Sequence, residues 1–147
     1  RNNITTYKFF SYNLRGLQAR LQDPVIQVGN LDSLRTWSDV RDAVRAYYML
    51  VTHNPTPGEY YNIGGSYSCT VKDMLDYLLE KSTVKNIEVR VDHDRLRPID
   101  ADLQLPDTSK FFNHTGWKPE IKFNQTMDDL LEYWRSNIKT KKNYLVR

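Results

Sequence analysis

The sequence has few of the residues and runs that mark several common classes of protein. It contains 1 cysteine, 6 glycines and 6 prolines among 147 residues. The single cysteine, Cys69, excludes an internal disulfide framework and a cysteine-rich zinc site. The longest apolar run covers only residues 46–51, whereas a membrane-spanning helix needs about 20 apolar residues. We therefore expect no membrane association and a reducing, cytoplasmic location.

An excess of charge of one sign is also missing. The 21 Lys+Arg and 18 Asp+Glu residues leave a net charge of only +3, which is too weak to indicate a nucleic-acid partner. The densest basic cluster, Lys139-Thr140-Lys141-Lys142, is expected to be a solvated tail. The 39% hydrophobic and 27% charged residues are ordinary for a globular chain, and the length fits one domain.

Several signatures of catalytic and cofactor sites are absent. The sequence has no G-x-G-x-x-G, no G-x-x-x-x-G-K-[ST] and no G-x-S-x-G. His53, His93 and His114 lie far apart and lack metal-ligand spacing. The sequence therefore predicts neither a metal site nor a bound cofactor within this chain.

Hydrophobic periodicity predicts a mixed chain of about five helices and three or four short strands. The predicted helices cover residues 4–21, 40–51, 71–79, 107–113 and 123–138, and the predicted strands cover 25–28, 59–63 and 86–91. Residues 32–39 are predicted to be irregular, and Gly64-Gly65 to form a turn. These strands are too few for a complete doubly wound sheet.

One pair of residues fits the Y-x-x-x-K pattern with which short-chain dehydrogenases transfer protons. Tyr77 and Lys81 share a helical face, and a nearby ammonium can lower the pKa of a phenol. The pattern is common by chance, however, and no cofactor loop precedes it. We therefore interpret the pair as an ordinary turn of a surface helix.

Two arginine-bearing segments, residues 30–37 and 95–100, are the most informative part of the sequence. The guanidinium groups of Arg35 and Arg97 can bind phosphate through their planar fork of donors. Pro98 stiffens the second segment, and the carboxylate of Asp100 can accept hydrogen bonds from ribose hydroxyls. Taken singly, each segment also fits ordinary surface salt bridges.

The order of the motifs resembles the C-terminal, substrate-binding half of the extended short-chain dehydrogenase/reductase family that acts on nucleotide sugars. Within that family it is most similar to the GDP-mannose 4,6-dehydratases and the GDP-4-dehydro-6-deoxy-mannose reductases. Residues 28–35 are similar to G-N-x-D-x-x-R-D-W, 39–42 to D-V-x-D, 59–64 to E-x-Y-N-I-G, 96–100 to R-P-x-[DE], 107–110 to D-x-[ST]-K and 115–119 to G-W-x-P.

The resemblance implies an α/β fold: the C-terminal substrate-binding portion of an extended short-chain dehydrogenase/reductase, with the N-terminal Rossmann half missing. Residues 1–147 would then form a nucleotide-sugar-binding domain, part of a longer NAD- or NADP-dependent enzyme that binds a GDP-sugar and forms homo-oligomers. The catalytic residues and the cofactor site are expected in the missing half, so this chain alone is expected to be inactive.

The implied activity is that of a GDP-mannose 4,6-dehydratase, which oxidises C4, eliminates water across C5–C6 and returns the hydride at C6. A GDP-4-dehydro-6-deoxy-mannose reductase, or another nucleotide-sugar epimerase or dehydratase, remains an alternative, because the missing half decides between them. A non-catalytic interaction module is a second alternative, in which both arginine segments are surface charge.

The resemblance also implies six substrate-binding residues: Lys8, Val28, Asn30, Arg35, Arg97 and Asp100. Arg35 and Arg97 correspond to the arginines that meet the diphosphate, and Asp100 to the residue that faces the ribose. Lys8 would lie by the nucleotide, and Val28 and Asn30 by the base. Thr36 stands where the family usually has an acidic residue, which changes the hydrogen bonding expected around Arg35.

Overall fold

The computed structural model describes residues 23–53, 56–96 and 103–140, except the side chains of residues 138–140. In this part of the chain, five strands are interspersed with four α-helices and one 3₁₀ turn. The strands are β1 (Val25–Val28), β2 (Leu34–Trp37), β3 (Tyr67–Thr70), β4 (Glu88–Val91) and β5 (Leu103–Gln104). The helices are α1 (Val40–Thr52), α2 (Val71–Glu80), α3 (Ser109–Thr115) and α4 (Phe123–Thr140), and the 3₁₀ turn covers His93–Arg95. The predicted α/β class is confirmed, while the predicted helix over residues 4–21 lies outside the described residues.

One compact unit of the fold contains residues 23–31, 75–96 and 127–140. In it β1 and β4 pair in parallel, with Ile26 opposite Val89 and Val28 opposite Val91. Ile26 and Val28 are buried on either side of an exposed Gln27, which is the alternation of a strand with one buried face. The buried apolar side chains of this unit also include Leu75, Leu78, Met127 and Leu131. Their spacing of three or four residues along α2 and α4 gives each helix one inward face.

The second unit contains residues 32–53, 56–74 and 103–126. Its sheet has the order β3-β2-β5, with β2 antiparallel to β3 and parallel to β5. The buried Trp37 of β2 donates its indole N–H to the carbonyl oxygen of Cys69 on β3 at 3.2 Å. A core cluster of Ala46, Phe111 and Trp117 packs the helices of this unit together.

Local side chains fix where the helices begin and end. The carboxylate of Asp39 accepts a hydrogen bond from the backbone N–H of Arg41 and caps α1, a role that aspartate commonly takes. At α2, the hydroxyl of Thr70 accepts from the backbone N–H of Asp73, and the Asp73 carboxylate accepts from the backbone N–H of Thr70, a reciprocal capping arrangement. Gly116 ends α3 with a φ of 72°, a left-handed conformation that favours glycine.

Two predictions about strands are wrong. Residues 59–63, predicted as a strand, are irregular, and the strand lies further along as β3. Residues 34–37, predicted as irregular, form β2, the central strand of the three-stranded sheet. Thr36 and Trp37 favour a strand, but the run of four residues is too short to indicate one alone, and its pairing with β3 and β5 makes it a strand.

Helix α1 has two apolar faces, of which only one meets the core. Ala46 is buried beside Asp42, and Met49 and Leu50 pack against the core cluster. Val40, Val44, Tyr47, Tyr48 and Val51 are exposed. A regular apolar stripe normally faces a core. We call these five exposed side chains the α1 stripe.

Candidate functional site

The carboxyl end of β1 carries two of the predicted substrate-binding residues. Val28 is buried, and its carbonyl oxygen accepts a hydrogen bond from the backbone N–H of Asp92 at 2.8 Å. Asn30 follows two residues later in a half-buried position. In parallel sheets, ligands bind beyond the carboxyl ends of the strands. Asn30 therefore lies where a ligand site is expected, while contact of Val28 with a base stays a prediction.

Gly29 brings this strand end against the 3₁₀ turn. A Cβ atom on Gly29 would lie 3.0 Å from the carbonyl oxygen of Arg95, so a larger residue would push the two segments apart. The turn leads directly to Leu96 and then to the segment with Arg97. Gly29 is a packing residue that was not predicted, although a glycine directly after a strand is a signal of close backbone approach.

Arg95 is held within its own turn. Its Nε donates to the Oδ2 of Asp92 at 2.8 Å, and the two side chains form a salt bridge across three positions. Asp92 also accepts from the backbone N–H of Asp94 and caps the turn. Arg95 is therefore a structural arginine, which makes it a natural control for Arg97.

Arg35 lies on β2 and not in a loop, which corrects the sequence interpretation. Its Cα pairs with that of Gln104 on β5 and that of Cys69 on β3. The Nη1 of Arg35 donates to the Oε1 of Gln104 at 2.9 Å. A strand backbone and a neighbouring amide thus hold the guanidinium in place, because a central strand is fixed from both sides. Gln104 is a hydrogen-bond partner of Arg35 that no sequence motif indicated.

Thr36, the residue in place of the family's acidic neighbour, bonds across the sheet. Its hydroxyl lies 2.9 Å from the hydroxyl of Ser68 on β3. Successive side chains of a strand point to opposite faces, so this bond lies on the face opposite Arg35. The replacement leaves the Arg35–Gln104 bond intact.

Three predicted substrate-binding residues, Lys8, Arg97 and Asp100, lie outside the described residues. Along the chain, Asp100 stands three residues before Leu103, the first residue of β5. The contacts of Lys8, Arg97 and Asp100 with a nucleotide stay predictions.

The side chains of Tyr77 and Lys81 both bind one carboxylate. The hydroxyl of Tyr77 donates to the Oδ1 of Asp128 at 3.1 Å, and the Nζ of Lys81 lies 3.5 Å from the same oxygen. Burial, together with the hydrogen bond to Asp128, raises the pKa of Tyr77. A phenol that acts as a proton-transfer group needs a lowered pKa, so the arrangement supports the structural interpretation of this pair.

The D-V-x-D motif has a structural role. The Oδ2 of Asp42 accepts from the backbone N–H groups of Glu120 and Ile121 at 3.0 and 2.9 Å, and its Oδ1 accepts from Arg45 at 2.9 Å. Asp39 accepts from the hydroxyl of Thr126 at 2.7 Å in addition to capping the helix. The two buried carboxylates tie α1 to residues 120–126, the segment that follows the G-W-x-P motif.

Gly64-Gly65 is required for a close crossing of two backbone segments, so the predicted turn is wrong. A Cβ atom on Gly65 would lie 1.5 Å from the carbonyl oxygen of Trp37, and one on Gly64 would lie 2.7 Å from the Cγ of Pro106. Only glycine at position 65 lets this irregular segment pass over the end of β2.

The described residues offer neither a metal site nor an activated thiol. In this part of the chain no group of three His, Cys, Asp or Glu side chains could hold a metal ion. Burial raises the pKa of the Cys69 thiol to about 11, so it is a weak nucleophile at neutral pH. Within the same residues, no helix is both long and apolar enough to cross a membrane.

Comparisons with known proteins agree with the motif order. The sequence profile of the GDP-mannose 4,6 dehydratase family matches residues 7–130. A GDP-6-deoxy-D-mannose reductase of Pseudomonas aeruginosa is 28% identical over 125 residues, which are 85% of this chain and 39% of the reductase. A dTDP-glucose 4,6-dehydratase of Escherichia coli is 35% identical over 123 residues, which are 76% of this chain and 32% of the dehydratase.

Solved structures also match the fold of this chain. The structure of RMD from Pseudomonas aeruginosa in complex with NADPH matches with a TM-score of 0.77 and 23% identity, over 93% of this chain and 44% of that chain. The chain thus spans less than half the length of the proteins it matches, and its fold corresponds to the C-terminal portion of extended short-chain dehydrogenase/reductase structures. From the profile match over most of its length, this chain belongs to the GDP-mannose 4,6-dehydratase family of extended short-chain dehydrogenases/reductases.

Proposed function

We propose that residues 1–147 form the nucleotide-sugar-binding part of an NAD- or NADP-dependent enzyme of the GDP-mannose 4,6-dehydratase type. The observation that carries the proposal is the register of β2 and β5. It fixes Arg35 beside Gln104, on the strand that directly follows the segment of Arg97 and Asp100. A guanidinium held in this way can bind a phosphate through its planar fork of donors, and the family resemblance suggests Arg97 as a second arginine for the diphosphate.

The proposed roles follow from the chemistry of each side chain. Arg35 and Arg97 bind the diphosphate, Asp100 accepts hydrogen bonds from the ribose, and Lys8, Val28 and Asn30 surround the nucleotide. These contacts lie far from the reacting carbons of the sugar. Binding energy from such a remote group orients the sugar for reaction and lowers the barrier in the complete enzyme.

The nicotinamide cofactor, which accepts and returns the hydride in such an enzyme, does not fit the residues of this chain. The sequence has no glycine-rich phosphate loop, and the Tyr77–Lys81 pair is engaged by Asp128. We therefore place the cofactor and the proton-transfer groups outside this chain and assign its residues to substrate binding alone.

A reductase acting on a GDP-4-dehydro-6-deoxy sugar is the second candidate. It is favoured by the match to the Pseudomonas reductase, which covers 85% of this chain. The match to a dTDP-glucose dehydratase at 35% identity makes thymine an alternative to guanine as the base of the nucleotide, because an arginine that binds the diphosphate serves both nucleotides.

Calorimetric titration with GDP and with dTDP tests the proposal. We expect the chain to bind GDP more tightly than dTDP. Arg35→Ala should lower the affinities for GDP and for dTDP by a similar factor, because the arginine contacts only the diphosphate that the two nucleotides share. Gln104→Ala should weaken binding less, since the charge of Arg35 remains. If neither nucleotide binds, or if Arg35→Ala leaves both affinities unchanged, the proposed diphosphate site is wrong. Tighter binding of dTDP would overturn the assignment of the base alone.

A further inference from the structure

The side chain of Gln104 lies beside Arg35 at an accessible edge of the three-stranded sheet. Within the described part of this sheet, β5 is an outer strand, and Gln104 is exposed between Leu103 and Leu105, which are exposed as well. The Oε1 of Gln104 accepts a hydrogen bond from the Nη1 of Arg35 at 2.9 Å. A ligand that approaches the guanidinium from this edge can therefore also reach the amide group.

The chemistry of arginine fixes the direction in which this amide faces. A guanidinium has five N–H donors and no acceptor, so the amide presents its oxygen, and not its nitrogen, to Arg35. The Nε2 of Gln104 then carries both of its hydrogens on the side away from Nη1. Among the described residues, no group accepts a hydrogen bond from this nitrogen. The two N–H donors of Gln104 are therefore available to a ligand.

Donors that stand next to a positive charge fit a phosphate. A phosphate oxygen accepts N–H hydrogen bonds and carries the charge opposite to that of the guanidinium, and such charge-assisted bonds are among the strongest. A carboxylate at position 104 could also hold Arg35, but it would repel a phosphate and offer it no donor. A neutral amide holds the arginine and keeps its two donors for the anion.

We propose that Gln104 is a second phosphate-binding residue, whose amide N–H group donates to an oxygen of the phosphate that Arg35 binds. This inference rests on the proposed function, because it needs the diphosphate of the nucleotide sugar to lie at Arg35. It adds a direct contact with the substrate to the contact that Gln104 makes with the arginine.

A double-mutant cycle separates direct donation from mere orientation of Arg35. GDP is titrated calorimetrically into the full-length enzyme and into its Gln104→Ala, Arg35→Ala and doubly substituted forms. We expect Gln104→Ala to weaken GDP binding about three- to tenfold, which is the range of one ordinary hydrogen bond. At least about a threefold loss should remain when Gln104→Ala is added to Arg35→Ala, because the amide donates to the phosphate itself. Competition against a fluorescent GDP analogue gives the weakest of these affinities.

Two further variants sharpen the test. Ser68→Ala is the matched control, because it removes a hydroxyl that lies 2.9 Å from the hydroxyl of Thr36 on the opposite face of β2, and it should leave GDP binding unchanged. Gln104→Glu keeps an acceptor for Arg35 but replaces the two donors by a negative charge, so it should bind GDP more weakly than Gln104→Ala does. Because Gln104 is exposed, the thermal midpoint of Gln104→Ala without nucleotide should equal that of the parent.

The proposal and the proposed function fail on different results. If adding Gln104→Ala to Arg35→Ala causes no further loss, or if Gln104→Glu binds GDP as tightly as the parent, Gln104 does not contact the phosphate and only this inference is wrong. If Gln104→Ala weakens GDP binding while Arg35→Ala leaves it unchanged, the diphosphate role of Arg35 is wrong. A parent enzyme that binds no GDP would overturn both.

Discussion

At the scale of single residues, buried carboxylates contribute more to this fold than surface ion pairs do. Asp39 and Asp42 are nearly inaccessible, and each is bonded to groups from more than one segment. An exposed pair such as Arg90 and Glu88 typically contributes less than about 1 kcal/mol. The stability of the second unit should therefore respond to pH through Asp39.

The pKa of Asp39 sets the pH range in which this stability is lost. The hydrogen bonds from Arg41, supported by one from Thr126, lower the pKa of Asp39 from 3.8 to about 2. Because the folded pKa lies below the unfolded one, the unfolded chain takes up the proton first, and stability is lost as the pH falls through about 4 toward 2. We predict that Asp39 supplies about 2 kcal/mol of stability at neutral pH that disappears in this range.

Urea unfolding at neutral pH and near pH 2.5 measures this loss. In Asp39→Asn, the part of the acid destabilisation that belongs to Asp39 should be absent, while the variant is less stable at neutral pH. An Asp39→Asn chain with the same acid-induced loss as the parent would show that other carboxylates carry the effect.

At the scale of secondary structure, the position of Gly65 is the tightest constraint on the sheet of the second unit. A Cβ atom there would overlap the carbonyl oxygen of Trp37, at 1.5 Å. We predict that Gly65→Ala costs more than about 3 kcal/mol or prevents folding of this unit, because backbone atoms on both sides must move.

Gly58→Ala is the matched control for this substitution. Gly58 has a φ of 82°, but no atom lies within 4 Å of the position that a Cβ would take, so alanine there meets only backbone strain of about 1 kcal/mol. Thermal unfolding of both variants should show a much larger decrease for Gly65→Ala. Equal decreases would mean that the close crossing at Trp37 does not exist in solution.

The elements also show how far the sequence can predict the structure. Helices α1, α2 and α4 are predictable, because each carries an apolar period of 3.6 and α1 and α2 have capping side chains. Strand β2 is not predictable from its own residues, since its pairing with β3 and β5 depends on contacts far away in sequence. The outward direction of the α1 stripe is not predictable either, because periodicity shows that a helix has two faces but not which one meets the core.

The sequence likewise indicates only some features of the candidate site. The roles of Arg35, Arg97 and Asp100 come from the family resemblance in the order of the motifs and stay predictions. The contact of Gln104 with Arg35 cannot be inferred from the sequence, because the register of β2 and β5 leaves no local pattern. Gly29 does leave one, since a glycine directly after a strand indicates close backbone approach.

At the scale of the whole molecule, we predict that the 147-residue chain has no catalytic activity. Its sequence contains no glycine-rich cofactor loop, and its Tyr-x-x-x-Lys pair is held by Asp128. Incubation with GDP-mannose and NAD or NADP should give no 4-keto-6-deoxy product above a buffer blank. Turnover well above the blank would contradict this prediction, and its loss in Tyr77→Phe would place the chemistry on α2.

The central claim, that this chain binds the diphosphate of a nucleotide sugar through its arginines, is tested most directly by titrating GDP into the full-length enzyme that carries Arg97→Ala or Arg95→Ala. A hydrogen bond to a charged group contributes about 1.5–3 kcal/mol, and 1.4 kcal/mol is tenfold in affinity. We predict a loss of roughly 10- to 100-fold for Arg97→Ala, partial recovery in Arg97→Lys because an ammonium lacks the planar fork, and little change for Arg95→Ala, whose guanidinium is held by Asp92. Equal losses at Arg95 and Arg97 would contradict the claim and reduce the segment to a basic surface.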